Sequence, residues 1–252
     1  MDLEDLRAVS YTATQDQVLS SYRAGLFPMG IGAGGTGRMG WWAPRRRGVL
    51  LPDALRVSKS LRKSMRHFDF TVDAAFDEVI RACADPDRSG AWITEEIIGL
   101  YTGLHREGWA HSVEVWADGE LVGGLYGVAI GSFFAGESMF HTRTDASKAA
   151  LAHLVSVLDG TSQTAVSQTR SALPQTISAS PRTTPDGTAD DTAAGGPTSA
   201  DGAFPEQRWL IDTQWQTPHL AALGVSEIGG LEYSARLDSA LRGQRCQLIL
   251  NK

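Results

Sequence analysis

A chain of 252 residues with 42% hydrophobic and 21% charged residues has room for one large domain, or one domain with a small satellite, around a real core. Its net charge of −6 on its own argues against a general nucleic-acid binder, although a localised basic patch stays open. Two cysteines, Cys83 and Cys246, make no disulfide framework or zinc quartet. The acidic opening is no signal peptide, and no stretch reaches the roughly 18 apolar residues of a membrane helix, so a cytoplasmic protein is expected.

Residues 1–55 read as a small, irregular, helix-containing N-terminal domain, in which Gly25 is placed to end a helix before Phe27-Pro28. Gly32 to Gly37 spells GAGGTG, which fits the spacing of a dinucleotide loop. Pro28 precedes it where a strand belongs and Trp41-Trp42 follows where a helix belongs, so it reads as a plain loop. Arg45, Arg46, Arg47, Arg56, Lys59, Arg62, Lys63 and Arg66 gather with Asp53 as the only acid among them. Such a cluster is either a contact for nucleic-acid phosphates or the solvated face of a surface helix over residues 56–66. Helices are predicted over 73–83 and 94–107, the second with Ile97, Ile98, Leu100, Tyr101 and Leu104 inward, Thr94 at its start and Gly108 at its stop.

From Ala110 the apolar period becomes two. A strand over 111–116, a turn at Asp118-Gly119, a strand over 120–130 and a third over 132–140 form a meander, followed by a helix over 145–158. Residues 160–207 are dominated by Ser, Thr, Ala, Gly, Pro and Asp and read as a disordered insertion. Beyond it come a short strand over 208–213, a short helix over 217–223, another strand, and a helix over 233–242. The expected class is α+β, with a mixed, largely antiparallel sheet flanked by helices in residues 56–252. The element order is similar to that of GNAT-like acyltransferases. Acyl-CoA members of that fold carry a glycine-rich turn before the long helix; the junction Phe140 to Ser147 has no glycine, which disfavours CoA.

Eight strings, in order, carry a closer likeness: Tyr22–Pro28, Trp41–Pro44, Trp92–Thr94, His111–Trp116, Leu121–Val128, Gly136–Phe140, Ala146–Lys148 and Leu210–Gln214 with Leu223-Gly224 beyond. The set resembles the bacterial leucyl/phenylalanyl-tRNA–protein transferases over most of residues 20–230. The resemblance implies transfer of Leu or Phe, and Met less well, from aminoacyl-tRNA to the α-amine of proteins with N-terminal Arg or Lys, which makes an N-end rule degradation signal. It implies no metal and no cofactor, because the tRNA ester is already activated; a monomer is expected.

By the same resemblance Asp212 polarises Gln214 to draw the proton from the amine. If both stood on one strand, their spacing would put them on one face; a strand-end turn cap is the plain alternative. Glu137 is expected to hold the acceptor cation or the adenosine ribose. Trp92, Tyr101, Tyr22 and Met29 are expected around the terminal adenosine, and Phe134, Met139 and Ile211 around the transferred side chain, although such residues are most often core. The eight basic residues from Arg45 to Arg66 are assigned to tRNA phosphates. The family usually has a tryptophan where this chain has Met29, which gives up stacking area on the adenine. The competing readings are a GNAT-like N-acyltransferase with another donor and a non-catalytic tRNA-binding relative.

Overall fold

The change of period at Ala110 is where the sheet takes over the structure. The computed structural model describes residues 3–87, 92–160 and 208–243, all in one compact unit. The supposed disordered insertion lies outside the described residues except for Gly160, as does Cys246.

Strands β6 (Ala110–Ala117) and β7 (Glu120–Ile130) form a hairpin whose turn residues Asp118 and Gly119 both take positive φ, 56° and 80°, the geometry that suits the right-handed twist of the strands. β8 (Phe133–His141) returns antiparallel to β7. Helix α5 (Ala146–Leu158) then crosses over to β9 (Leu210–Asp212), which pairs parallel with β8. Among the described residues this sheet has seven strands in the order β10-β4-β9-β8-β7-β6-β5, with β4 at Arg46–Leu50, β5 at Asp69–Val72 and β10 at Ser226–Gly229. β8–β9 is its one parallel pair, so the sheet is mixed and largely antiparallel.

Helices cover both faces. One apolar cluster joins α1 (Gln15–Arg23), α3 (Phe76–Cys83), α4 (Glu95–Arg106) and α7 (Gly230–Arg242) to one face. The other joins α2 (Lys59–Met65) and α5 to the opposite face. The alternation along β7 divides accordingly, with Tyr126, Val128 and Ile130 in the first cluster and Leu125 and Ala129 in the second; a register shift against β6 at Val122 reverses it, so Val122 joins the second and Leu121 the first. α5 is buried nearly all round because its alanines let it settle closely on the strands. α4 starts at Thr94, whose hydroxyl accepts from the Ile97 N–H, and Gly108 beyond its end takes φ 80°, both as the sequence indicates.

Residues 1–55 hold more strand than their sequence suggests. β1 (Leu6–Ser10), β2 (Phe27–Gly30) and β3 (Met39–Trp42) form a separate three-stranded sheet, and β4 is built into the large one. Within the GAGGTG loop between β2 and β3, Gly35 is buried while Gly32, Gly34 and Gly37 are exposed. Gly35 has φ 70°, and a Cβ there would run into the Trp92 backbone. Gly35 therefore serves close packing, which helps to seat Trp92. Among the described residues no helix is long and apolar enough to cross a membrane.

Candidate active site at the parting of two strands

β8 and β9 pair only over Phe133–Ala135 and Leu210–Asp212; β9 then ends while β8 runs on to His141. Just past the last pair β8 has a bulge: Tyr126 faces Ser138 and Gly127 faces Gly136, which leaves Glu137 without a partner on β7. A bulge bends a strand and re-aims its side chains. Here it reverses the alternation. Phe134 and Met139, an odd number of residues apart, come to line the same cavity, while Glu137 meets Tyr101 from the opposite helix layer.

Asp212 closes β9 in full burial. Its carboxylate accepts from Arg47 Nε at 2.9 and 3.0 Å, from Arg47 Nη2 at 2.6 Å, and from the Tyr233 hydroxyl at 2.8 Å. Its Oδ1 also accepts from the Gln214 backbone N–H at 2.8 Å. Arg47 comes from β4, donates its third group to the Gly25 carbonyl, and lies over the rings of Phe27 and Tyr233. Burial by itself lowers the Arg47 pKa, but the Asp212 charge outweighs it and the guanidinium is held well above its ordinary value. Burial, with the Asp212 charge added, drives the Tyr233 hydroxyl up, so it stays a neutral donor.

Gln214 lies beyond the strand, with φ 58° and a Trp215 N–H to Thr213 carbonyl bond of 2.7 Å across it. That is a γ-turn with positive φ, a conformation that costs energy and that Asp212 holds in place through the backbone N–H. Gly48 allows the turn to sit against β4, because a Cβ there would lie 2.7 Å from the Gln216 nitrogen. Asp212 and Gln214 are thus brought together by a turn and not by one strand face. Asp212 contacts the Gln214 main chain, whereas the side-chain amide Nε2 reaches Glu137 Oε1 at 3.4 Å.

Glu137 is the half-buried floor of this parting. Tyr101 donates to its Oε2 at 3.0 Å, and the Tyr101 and Tyr22 hydroxyls are 2.6 Å apart. Burial pushes the carboxyl up and the nearby Asp212 charge adds to it; hydrogen bonds from the two tyrosines and the Arg47 charge pull it down. The outcome is a pKa raised from 4.5 to about 7. Such a group accepts a proton near neutrality and can return it. Tyr22 and Tyr101 are fully buried and line neither cavity. Both stand behind Glu137, Tyr101 in direct contact with its carboxylate and Tyr22 through the Tyr101 hydroxyl.

Two cavities open from the gap. The first, of about 270 Å³, lies towards α5 between Leu125, Phe134, Met139, Leu151, Leu154 and Ile211. It contains the three residues expected around a side chain. The second, of about 260 Å³, lies towards the small sheet, with Phe27, Met29, Trp92 and Trp215 on its wall. Both touch Glu137, Thr213, Gln214, Thr217 and Leu220, the last two from around α6 (Pro218–Ala222). An apolar slot and an aromatic cavity therefore share one polar boundary.

Of the eight basic residues, Arg45, Arg46, Arg56, Lys59, Arg62, Lys63 and Arg66 are exposed. Arg45 pairs with Glu4 and Arg46 with Glu227, while α2 carries its cations outward. Arg47 departs from the group: at 1% exposure and committed to Asp212, it has no reach to a phosphate outside. Tyr233, Thr217 and Trp215 stand around this gap without having been singled out in the sequence, and Arg47, expected at phosphates, is found on Asp212. Among the described residues no group of three or more His, Cys, Asp and Glu is arranged to hold a metal ion.

A family model described as leucyl/phenylalanyl-tRNA protein transferase matches residues 49–172. A protein of Nitrosomonas europaea named leucyl/phenylalanyl-tRNA–protein transferase is 38% identical over 248 residues, 95% of this chain and 84% of the relative. Proteins of the same name from Paramagnetospirillum magneticum and Nitrosomonas eutropha are 40% and 46% identical, over 90% and 92% of this chain and 89% and 80% of their own lengths.

Proposed function

The chain belongs to the leucyl/phenylalanyl-tRNA–protein transferase family, which makes it an aminoacyltransferase, and from that premise we propose that it moves Leu or Phe, and Met less well, from aminoacyl-tRNA to the α-amine of proteins with N-terminal Arg or Lys. The product would be an N-end rule degradation signal. The observation that carries this reading is the shared boundary of the two cavities: an apolar slot sized for a side chain and an aromatic cavity suited to a base meet at Glu137 and Gln214. An aminoacyl ester has that shape, with its carbonyl between side chain and adenosine.

In this mechanism the slot lined by Phe134, Met139 and Ile211 takes the aminoacyl side chain, and the cavity of Trp92 and Met29 takes the terminal adenosine. The acceptor amine attacks the ester carbonyl and a C–N bond forms. The amine proton passes to Glu137, whose carboxyl is poised for it near pH 7. The C–O bond to the ribose then breaks, and the leaving 3′ oxygen takes the proton back. The Gln214 amide, 3.4 Å from Glu137, orients the groups, and Asp212 serves by fixing the turn that presents Gln214. An amide is a weak base and Asp212 is fully engaged, so proton transfer is assigned to Glu137. Positioning of an already activated ester supplies much of the rate.

The same reading takes residues 56–252 as a GNAT-like catalytic domain and residues 1–55 as a small N-terminal domain that lends β4 to the large sheet. Short β8–β9 pairing followed by divergence supports it. Asp145, ahead of α5, sets a carboxylate where an acyl-CoA enzyme needs anion-binding backbone, which counts against a CoA donor. The exposed cations of α2 are proposed to meet tRNA phosphates, and the protein is proposed to act in the cytoplasm as a monomer.

The test is transfer of radiolabelled Leu or Phe from charged tRNA to a protein beginning with Arg. Transfer that is lost with a Gly-initial acceptor and in Glu137→Gln supports the reading. Charged tRNA that binds without transfer would replace it with a binding role.

A further inference from the structure

Beside the Glu137–Gln214 boundary, the second cavity has two indoles in its wall, Trp92 and Trp215, and both are half-buried. We infer that Trp215 supplies a stacking face for a purine base in this cavity; the inference rests on the reading of the donor as an aminoacyl-adenosine ester.

Three observations lead to Trp215. The indole is held in place before any ligand arrives: its Nε1 donates to Asp5 Oδ2 at 3.4 Å, and its ring meets Phe27 edge-to-face at 5.1 Å and Trp42 at 6.5 Å. A flat surface fixed in advance loses little freedom when a planar ligand settles on it. Trp215 also follows Gln214 directly, and its N–H closes the γ-turn that presents that residue. A base resting on the indole is therefore held in register with the amide and with Glu137, where the ester carbonyl must lie. Finally, Met29 lines the same cavity but is itself buried and offers a thioether where a base needs a flat face.

The cavity's polar boundary fits the same ligand class. Thr213, Gln214, Thr217 and Glu137 offer hydroxyl, amide and carboxyl groups in an otherwise apolar, largely aromatic wall. A nucleoside, with an apolar base face and a ribose rich in hydroxyls, has the matching division. Stacking reads no base edge, so Trp215 contributes affinity for the base and leaves the choice of amino acid to the apolar slot.

The experiment measures binding of two stable probes to the full chain by calorimetry. One is phenylalanine joined by an amide to 3′-amino-3′-deoxyadenosine, and the other is the same amide on a ribose without a base. In Trp215→Ala the Kd of the adenosine probe should rise by about five-fold or more, with a smaller rise in Trp215→Phe, while the base-free probe is unaffected. The KM for charged tRNA should rise in parallel and the KM for the acceptor protein should hold. Equal weakening of both probes, or none, would overturn the inference by making Trp215 a packing residue. If the unaltered protein neither binds the adenosine probe nor transfers from charged tRNA, the reading of the donor fails, and this inference with it.

Discussion

Arg47 and Asp212, 165 residues apart in sequence, close on each other in a buried two-pronged ion pair, with Arg47 Nη2 2.6 Å from Asp212 Oδ2. The same carboxylate holds the Gln214 N–H, so one pair joins the stability of the β4–β9 seam to the geometry of the site. Arg47→Ala leaves a charge buried without a partner and should cost about 3–5 kcal/mol in urea unfolding. Arg47→Met with Asp212→Leu should recover most of that stability. Transfer should stay lost, because no acceptor remains for the Gln214 N–H. A double variant that regained activity would show that the pair serves packing alone.

Glu137 sets the pH response. Its carboxyl is raised to about 7, and the charged form is the one that takes the amine proton. The acceptor α-amine, titrating at about 8, imposes one limb on kcat/KM, and Glu137 should add a second limb below about 7, steeper by about ten-fold per unit. Glu137→Gln should flatten this limb and lower the rate by about 10²-fold or more. Stability runs the other way. Between about pH 4.5 and 7 the unfolded chain has released a proton that the folded one still holds, so this group's contribution falls as pH rises through that window. Glu137→Gln should therefore gain melting temperature relative to the parent at pH 8 compared with pH 4. Parallel melting curves across that range would sink the assignment.

The site is legible in the sequence where its signal is local and illegible where it depends on distant pairing. The β6–β7 hairpin, α4 and α5 follow from period and turn chemistry alone. Glu137, Phe134, Met139 and Ile211 do converge, but only a bulge makes Phe134 and Met139 neighbours, and a bulge has no strict sequence mark. β1 to β4 are four or five residues each, β2 to β4 of them broken by Gly, Pro or Trp, and show no period to read. Within β4, Arg47 looks like its exposed neighbours Arg45 and Arg46 until β9 pairs beside it. Tyr233 likewise enters only because α7 packs over Asp212.

The apolar slot predicts a shift in amino-acid preference. Leu151 faces it from α5 and is otherwise buried, so Leu151→Phe fills space that a phenylalanyl ring needs more than a leucyl group does. The ratio of kcat/KM for Leu over Phe should rise by about ten-fold, within the range of one or two methylenes in a tight pocket. Competition between the two charged tRNAs, with melting temperature as a check on folding, measures it. An unchanged ratio would place the transferred side chain elsewhere.

The cations of α2 lie outside the core, and among the described residues no ion pair engages Lys59, Lys63 or Arg66. Replacing these three with Gln should change stability by no more than about 0.5 kcal/mol, as for most surface positions. If they meet phosphates, donor binding should weaken to a similar degree for leucyl- and phenylalanyl-tRNA, and the slope of log K against log salt should flatten by nearly one for each phosphate no longer neutralised. The KM for the acceptor protein should not move, since no phosphate takes part in its binding. Filter binding across a salt series separates this from the solvated-face alternative, under which the slope stays as it was.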